Sequence, residues 1–198
     1  MKPYKVIRWG AIILPLIILI IGGWIVVKKT NGDYRGSFYA AQTKIQSLIS
    51  KINLLASQSS DQLQLIQDKQ KNGDIKTVLN LVIDEKERNR QINESAIQLT
   101  EELKQLVKLL VKFSDPSDRQ KIETAIQYQI NAINHLLNYG SGVDALLKEL
   151  ALKYESTLDN KPFEIRKDVD NLYLLIKQEI KAADANSQKF IQSLSEIN

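Results

Sequence analysis

Beyond a polar stretch at 30–36, apolar or small residues recur in steps of three and four: Phe38, Ala41, Ile45, Leu48, Ile52, Leu55, Ser59, Leu63 and Ile66. That spacing places them on one face of a helix, the face a packed bundle buries. Asn72-Gly73 supplies a left-handed stop, and Asp74 can cap a second helix. The second stripe reads Ile75, Val78, Val82, then the polar Glu85 and Asn89, then Ile92, Ala96, Leu99, Leu103, Leu106, Leu110 and Phe113. Ser114-Asp115-Pro116 ends it and opens a third helix, with Asp115 as cap and Pro116 in the first turn.

The third stripe is Ile122, Ile126, Ile130, Ile133, Leu136 or Leu137, Val143, Leu147, Leu150, Tyr154 and Leu158. Gly140-Ser141-Gly142 interrupts it. Two glycines cost about 2 kcal/mol of helix propensity relative to alanine, which predicts a break there. After a turn at Asp159-Asn160-Lys161-Pro162, a last stripe carries Val169, Leu172, Ile176, Ile180, Ala183, Phe190, Leu194 and Ile197. The expected helices therefore cover about 37–71, 74–113, 116–158 (broken near 140–142) and 162–197. Segments of similar length joined by short turns pack as antiparallel neighbours. The expected fold is all-α, with 37–198 forming an up-down-up-down four-helix bundle about 55–60 Å long. The competing arrangement is a three-helix bundle with an extended arm.

A different pattern precedes the stripes. Trp9 to Val27 is a run of 19 residues without a charge. An apolar run of that length spans a hydrocarbon core of roughly 30 Å. Trp9 and Trp24 stand where indoles settle at the two interfaces, and Lys28 and Lys29 close the run. Pro15 and the Gly22-Gly23 pair can bend a membrane helix without breaking it. The run is longer than the apolar core of a cleaved signal and lacks a small-residue cleavage site. The expected organisation is a basic tail at 1–8, a single transmembrane anchor at 9–29, a neck at 30–36 and the bundle at 37–198. Lys2, Lys5 and Arg8 outweigh the opposite flank by a narrow margin. This predicts a cytoplasmic N-terminus and a body outside the cytoplasm.

Charge sharpens the division. The net charge is +4, from 27 basic and 23 acidic residues. Five of the basic ones (Lys2, Lys5, Arg8, Lys28, Lys29) lie in the first 29 positions, which hold no acidic residue. The remaining 22 face 23 acidic residues, so the body is nearly neutral. It lacks the basic excess of a nucleic-acid binder. The one polar feature of the core comes from reflecting the sequence about each turn. Glu85 falls opposite Asp61, and Glu85 and Asn89 fall opposite Asp144 and Gly140, which in turn face Ile176 and Ile180. Asp61, Glu85, Asn89, Gly140, Gly142 and Asp144 thus share one level as a candidate polar layer or hinge, with room for water or a ligand. The simpler expectation is a kinked third helix with Glu85 and Asn89 turned towards solvent.

Catalytic parts are missing. His135 is the only histidine, expected at a helix edge, and there is no cysteine. Di-iron, zinc and Ser/Cys-His nucleophile sites therefore lack their residues, and no phosphate-cradling glycine motif occurs. Asn93-Glu94-Ser95 matches a glycosylation acceptor but lies within a helix. No catalytic, metal or cofactor residue is expected, and no cofactor. One membrane helix carrying a long helical bundle resembles, in layout only, chemoreceptor sensor domains and many membrane scaffolds. The expected role is a non-enzymatic interaction or scaffold module at the cell envelope. Its expected partners are the lipid bilayer through 9–27 and another protein, with no nucleic acid. The alternatives are an extracytoplasmic ligand-sensing bundle signalling through a separate membrane partner, and a cytoplasm-facing coiled-coil scaffold.

Overall fold

A computed structural model of the chain describes residues 34–158 and 169–197. The proposed anchor, with Trp9, Pro15, Gly22, Gly23, Trp24, Lys28 and Lys29, lies outside the described residues, as does the turn at 159–162. Among the described residues no helix is long and apolar enough to cross a membrane. They form four helices: α1 (Tyr34–Lys71), α2 (Ile75–Leu110), α3 (Pro116–Leu158) and α4 (Val169–Ser195).

The local chemistry of each turn sets these ends. Gly73 takes a φ of 71°, open to glycine at little cost. Its N–H donates to the Gln70 carbonyl (3.1 Å) while the Asp74 N–H reaches back to Lys69 (3.1 Å), the paired closure of a Schellman motif. The Asp74 carboxylate accepts from the Thr77 N–H at 3.2 Å, capping α2. At the other end α2 stops at Leu110, three residues short of Phe113. The chain tightens there, with Lys112 N–H on Leu109 and Phe113 N–H on Leu110 (2.9 and 3.1 Å). Phe113 stays buried in this tighter turn, and Pro116 in turn biases Asp115 away from the helical region. The Asp115 side chain then accepts from the Ser117 N–H at 2.8 Å.

Contacts across the seams give the topology. Lys44 meets Glu102 and Gln62 meets Leu81, so residues later in α1 pair with earlier ones in α2. Asn89 meets Gly140, while Arg119 reaches back to Phe113 beside the α2–α3 turn. His135 meets Glu179 and Lys121 meets Glu196. Each consecutive pair is antiparallel. Asn53 on α1 donates to Asp184 on α4 at 3.0 Å, which brings the last helix beside the first. The extended-arm alternative is therefore not what forms: the described residues build a bundle of four helices.

The expected break in α3 is corrected as well. The helix runs without interruption from Pro116 to Leu158. Packing overrides propensity here, because the two glycines let neighbours approach from two sides. A Cβ on Gly140 would stand 2.5 Å from Asn93 Oδ1 of α2, and one on Gly142 would stand 3.1 Å from Ile176 Cγ1 of α4. Buried Tyr139, Val143 and Leu146 hold the same turns in the core. At the end shared by the start of α1 and the α2–α3 turn, the core is aromatic. Phe38 and Tyr34 pack edge-on against Phe113, with ring centroids 5.0 and 5.4 Å away.

Candidate functional site: a buried polar layer

About a third of the way along the bundle from the α1–α2 turn, three helices carry polar groups at one height. α1 brings Ser59, α2 brings Glu85, Arg88 and Asn89, and α3 brings Tyr139, Gly140 and Asp144. Glu85 is 0% exposed and Asn89 1%, so both point inward. The expectation that they turn to solvent is overturned. Both follow the heptad register of Val78, Val82, Ile92 and Ala96, and rotating them outward would expose that whole stripe.

The Glu85 carboxylate is held on both oxygens. Ser59 donates to Oε1, and Arg88 reaches Oε2 at 2.5 Å while its own side chain stays 20% exposed. Ser59 also bonds the Tyr139 hydroxyl. A serine hydroxyl has one proton, and here it goes to the carboxylate, so the Tyr139 O–H must donate to Ser59. The result is a directed chain across three helices: Tyr139 to Ser59 to Glu85, with Arg88 closing the charge. Burial lifts the Glu85 carboxyl above its ordinary value of 4.5, against the opposing pull of Ser59 and Arg88. Burial also pushes the Tyr139 phenol above its usual range, so Tyr139 is a donor at physiological pH.

One turn along α2, the Asn89 amide donates to the Gly140 carbonyl (3.0 Å) and to Asp144 Oδ1 (2.8 Å). These bonds use both of its N–H groups. Its Oδ1 is left buried without a protein partner. Asn93, first residue of the glycosylation-like triplet, is packed over Gly140 within α2.

The structure thus joins Glu85, Asn89, Gly140 and Asp144, as the reflection placed them. It leaves Asp61 exposed on the outer face of α1, two residues from the position Ser59 fills. Gly142 lies against apolar Ile176, beside the network rather than in it. Ser59 is legible in the sequence as a polar member of the α1 stripe. Tyr139 and Arg88 are not, and their only signal is spacing: Arg88 is one turn from Glu85, and Tyr139 adjoins the first glycine. His135 sits at the α3–α4 edge, its Nδ1 2.7 Å from Glu179. Among the described residues no cluster of three or more His, Cys, Asp or Glu side chains could hold a metal ion. No family model, curated protein or solved structure matches the chain.

Proposed function

We propose that this chain is a single-pass membrane protein whose helical bundle serves as a non-enzymatic interaction or scaffold module, displayed outside the cytoplasm. The observation that carries this reading is the uncharged run Trp9–Val27 with basic flanks, joined by a short neck to the start of α1. A run of that length is costly to leave in water and matches a bilayer core. The bundle adds a body of long helices packed side by side, suited to holding partners at a fixed distance.

The test is topological. Alkaline phosphatase fused after Asn198 is expected to be active in cells, with the protein in the membrane fraction and resistant to alkaline extraction. An inactive phosphatase together with a fluorescent fusion at the same point would place the body in the cytoplasm. Removal of Lys2, Lys5 and Arg8 is expected to scramble the orientation. Recovery of the full chain in the soluble fraction would end the membrane reading.

A second reading, a ligand-sensing bundle, draws support from the polar layer, since buried charge is costly where only rigidity is required. A small molecule that raises the melting temperature of the full chain in detergent would favour sensing. Indifference to ligands with one stoichiometric protein partner would favour the scaffold.

A further inference from the structure

Glu85 and Asn89 are successive core positions of α2, so one helical turn separates two buried side chains on one face. Their needs are complementary. Asn89 Oδ1 is a buried acceptor with no donor. Glu85 Oε2 is held by Arg88, the one member of the layer's charge pair that reaches solvent. The groups facing Glu85 come from three helices. α1 supplies the Ser59 hydroxyl, α2 supplies Arg88, and α3 supplies Tyr139 through Ser59, while Asn89 lies one turn further along the same buried face of α2. Asp144 of α3 is bonded to Asn89. Among the described residues no charged side chain of α4 bonds to Glu85, and α4 reaches this level with Ile176 against Gly142.

We propose that Glu85 and Asn89 form a proton-operated exchange: on acidification Glu85 binds one proton on Oε2, donates it to the unpaired Asn89 Oδ1, and releases Arg88 to the surface of α2. One proton enters from solvent and no covalent bond to carbon changes. Oε1 keeps its bond from Ser59, so the Tyr139–Ser59 chain survives in both states. The core loses a charge and a vacant acceptor, and the outer face of α2 gains a free guanidinium. Desolvation, which already disfavours the ionised carboxylate, works in the same direction. The exchange concerns the layer alone and stands apart from where the chain resides in the cell.

The experiment is a pH titration of the full chain in detergent micelles. Side-chain carbonyl and carboxyl carbons of Glu and Asn are followed by NMR from pH 4 to 8. The expected result is one glutamate carboxyl that titrates above the ordinary 4.5 and disappears in Glu85→Gln, with the Asn89 carbonyl shifting at the same midpoint. Asn89→Leu removes the acceptor of the acid form. It should lower that midpoint by about one pH unit, the tenfold weakening expected from one lost hydrogen bond. Arg88→Gln removes the cation and should raise it. No glutamate titrating above 4.5, an Asn89 carbonyl that does not follow, or an Arg88→Gln midpoint that stays put would each overturn the exchange. If Asn89→Leu does not fold, the Asn89 carbonyl and Arg88→Gln decide alone.

Discussion

The aromatic end and the polar layer belong to one continuous core but are held together by different physics. At the end, Phe38 and Phe113 are buried to 1% and 4% exposure and meet edge to face. The contact between these two rings needs no partner of a particular kind, only shape and exclusion of water. In the layer, Glu85 and Asn89 are as deeply buried, yet each is held by named donors or acceptors on other helices. An apolar contact tolerates small shifts, whereas a buried hydrogen bond fails over a fraction of an ångström. The difference suggests a division of labour. The aromatic end supplies stability, and the layer fixes the register of α1, α2 and α3, the best attested role of buried polar groups in helical bundles.

The largest expected effect lies at the aromatic end. Phe113→Ala should cost about 3–5 kcal/mol, the range for truncating a buried aromatic, read as a lower midpoint in chemical denaturation with an unchanged slope. A loss below about 1 kcal/mol would mean that this end frays and contributes little.

Gln129 sharpens the contrast next. It lies on α3 between the aromatic end and the layer, is 0% exposed, and has no protein partner for either polar atom of its amide. Here polarity is buried without the network that satisfies it further along. Gln129→Leu should stabilise the bundle by about 1–3 kcal/mol by removing that desolvation penalty. Destabilisation would show that the amide has a partner, such as an ordered water, that matters.

How much of this the sequence disclosed differs from helix to helix. In α1, spacing alone offers Leu48 and Leu55, whereas the structure buries their neighbours Ile49 and Ala56. A step of three or of four from Ile45 satisfies helical periodicity equally, and both positions are apolar, so only the partner helix decides. α3 is harder to read. It is packed between α2 and α4 and presents a wide face, so Gln129 is buried while Ile130 is only half-buried, the reverse of a single-stripe reading. The expected break at Gly140–Gly142 fails for a related reason. Propensity is local, and the close approaches of Asn93 and Ile176 that favour glycine there come from other helices. The reflection about each turn does find the layer's height, because short connections fix antiparallel register to within a few residues. It cannot tell Ser59 from Asp61.

A smaller effect tests that glycine account. Gly140→Ala gains about 1 kcal/mol of helix propensity but forces Asn93 aside, so in the otherwise native chain the two terms should nearly cancel. In an Asn93→Ala background the clash is gone, and the same change should stabilise by about 1 kcal/mol. A double-mutant cycle measures the coupling. Additive effects would mean that α2 does not press on Gly140.

The most direct measurement of the central claim, a buried and charged Glu85, is the unfolding free energy of the native chain against Glu85→Gln as pH is varied. Burial holds the folded-state value of Glu85 above its unfolded one, 4.5. The native state therefore binds the proton more tightly, and Glu85's contribution to stability is fully present below 4.5 and lost as pH rises through the folded-state value. Half-buried Asp74 and exposed Glu87 are shifted down and act in the opposite sense, but they are common to both proteins and cancel in the difference. The expected result is a Gln variant that gains stability relative to the native chain as pH rises from about 4.5 to neutrality. A difference independent of pH across that window, or one of opposite slope, would contradict a buried, ionised Glu85 at the centre of the bundle.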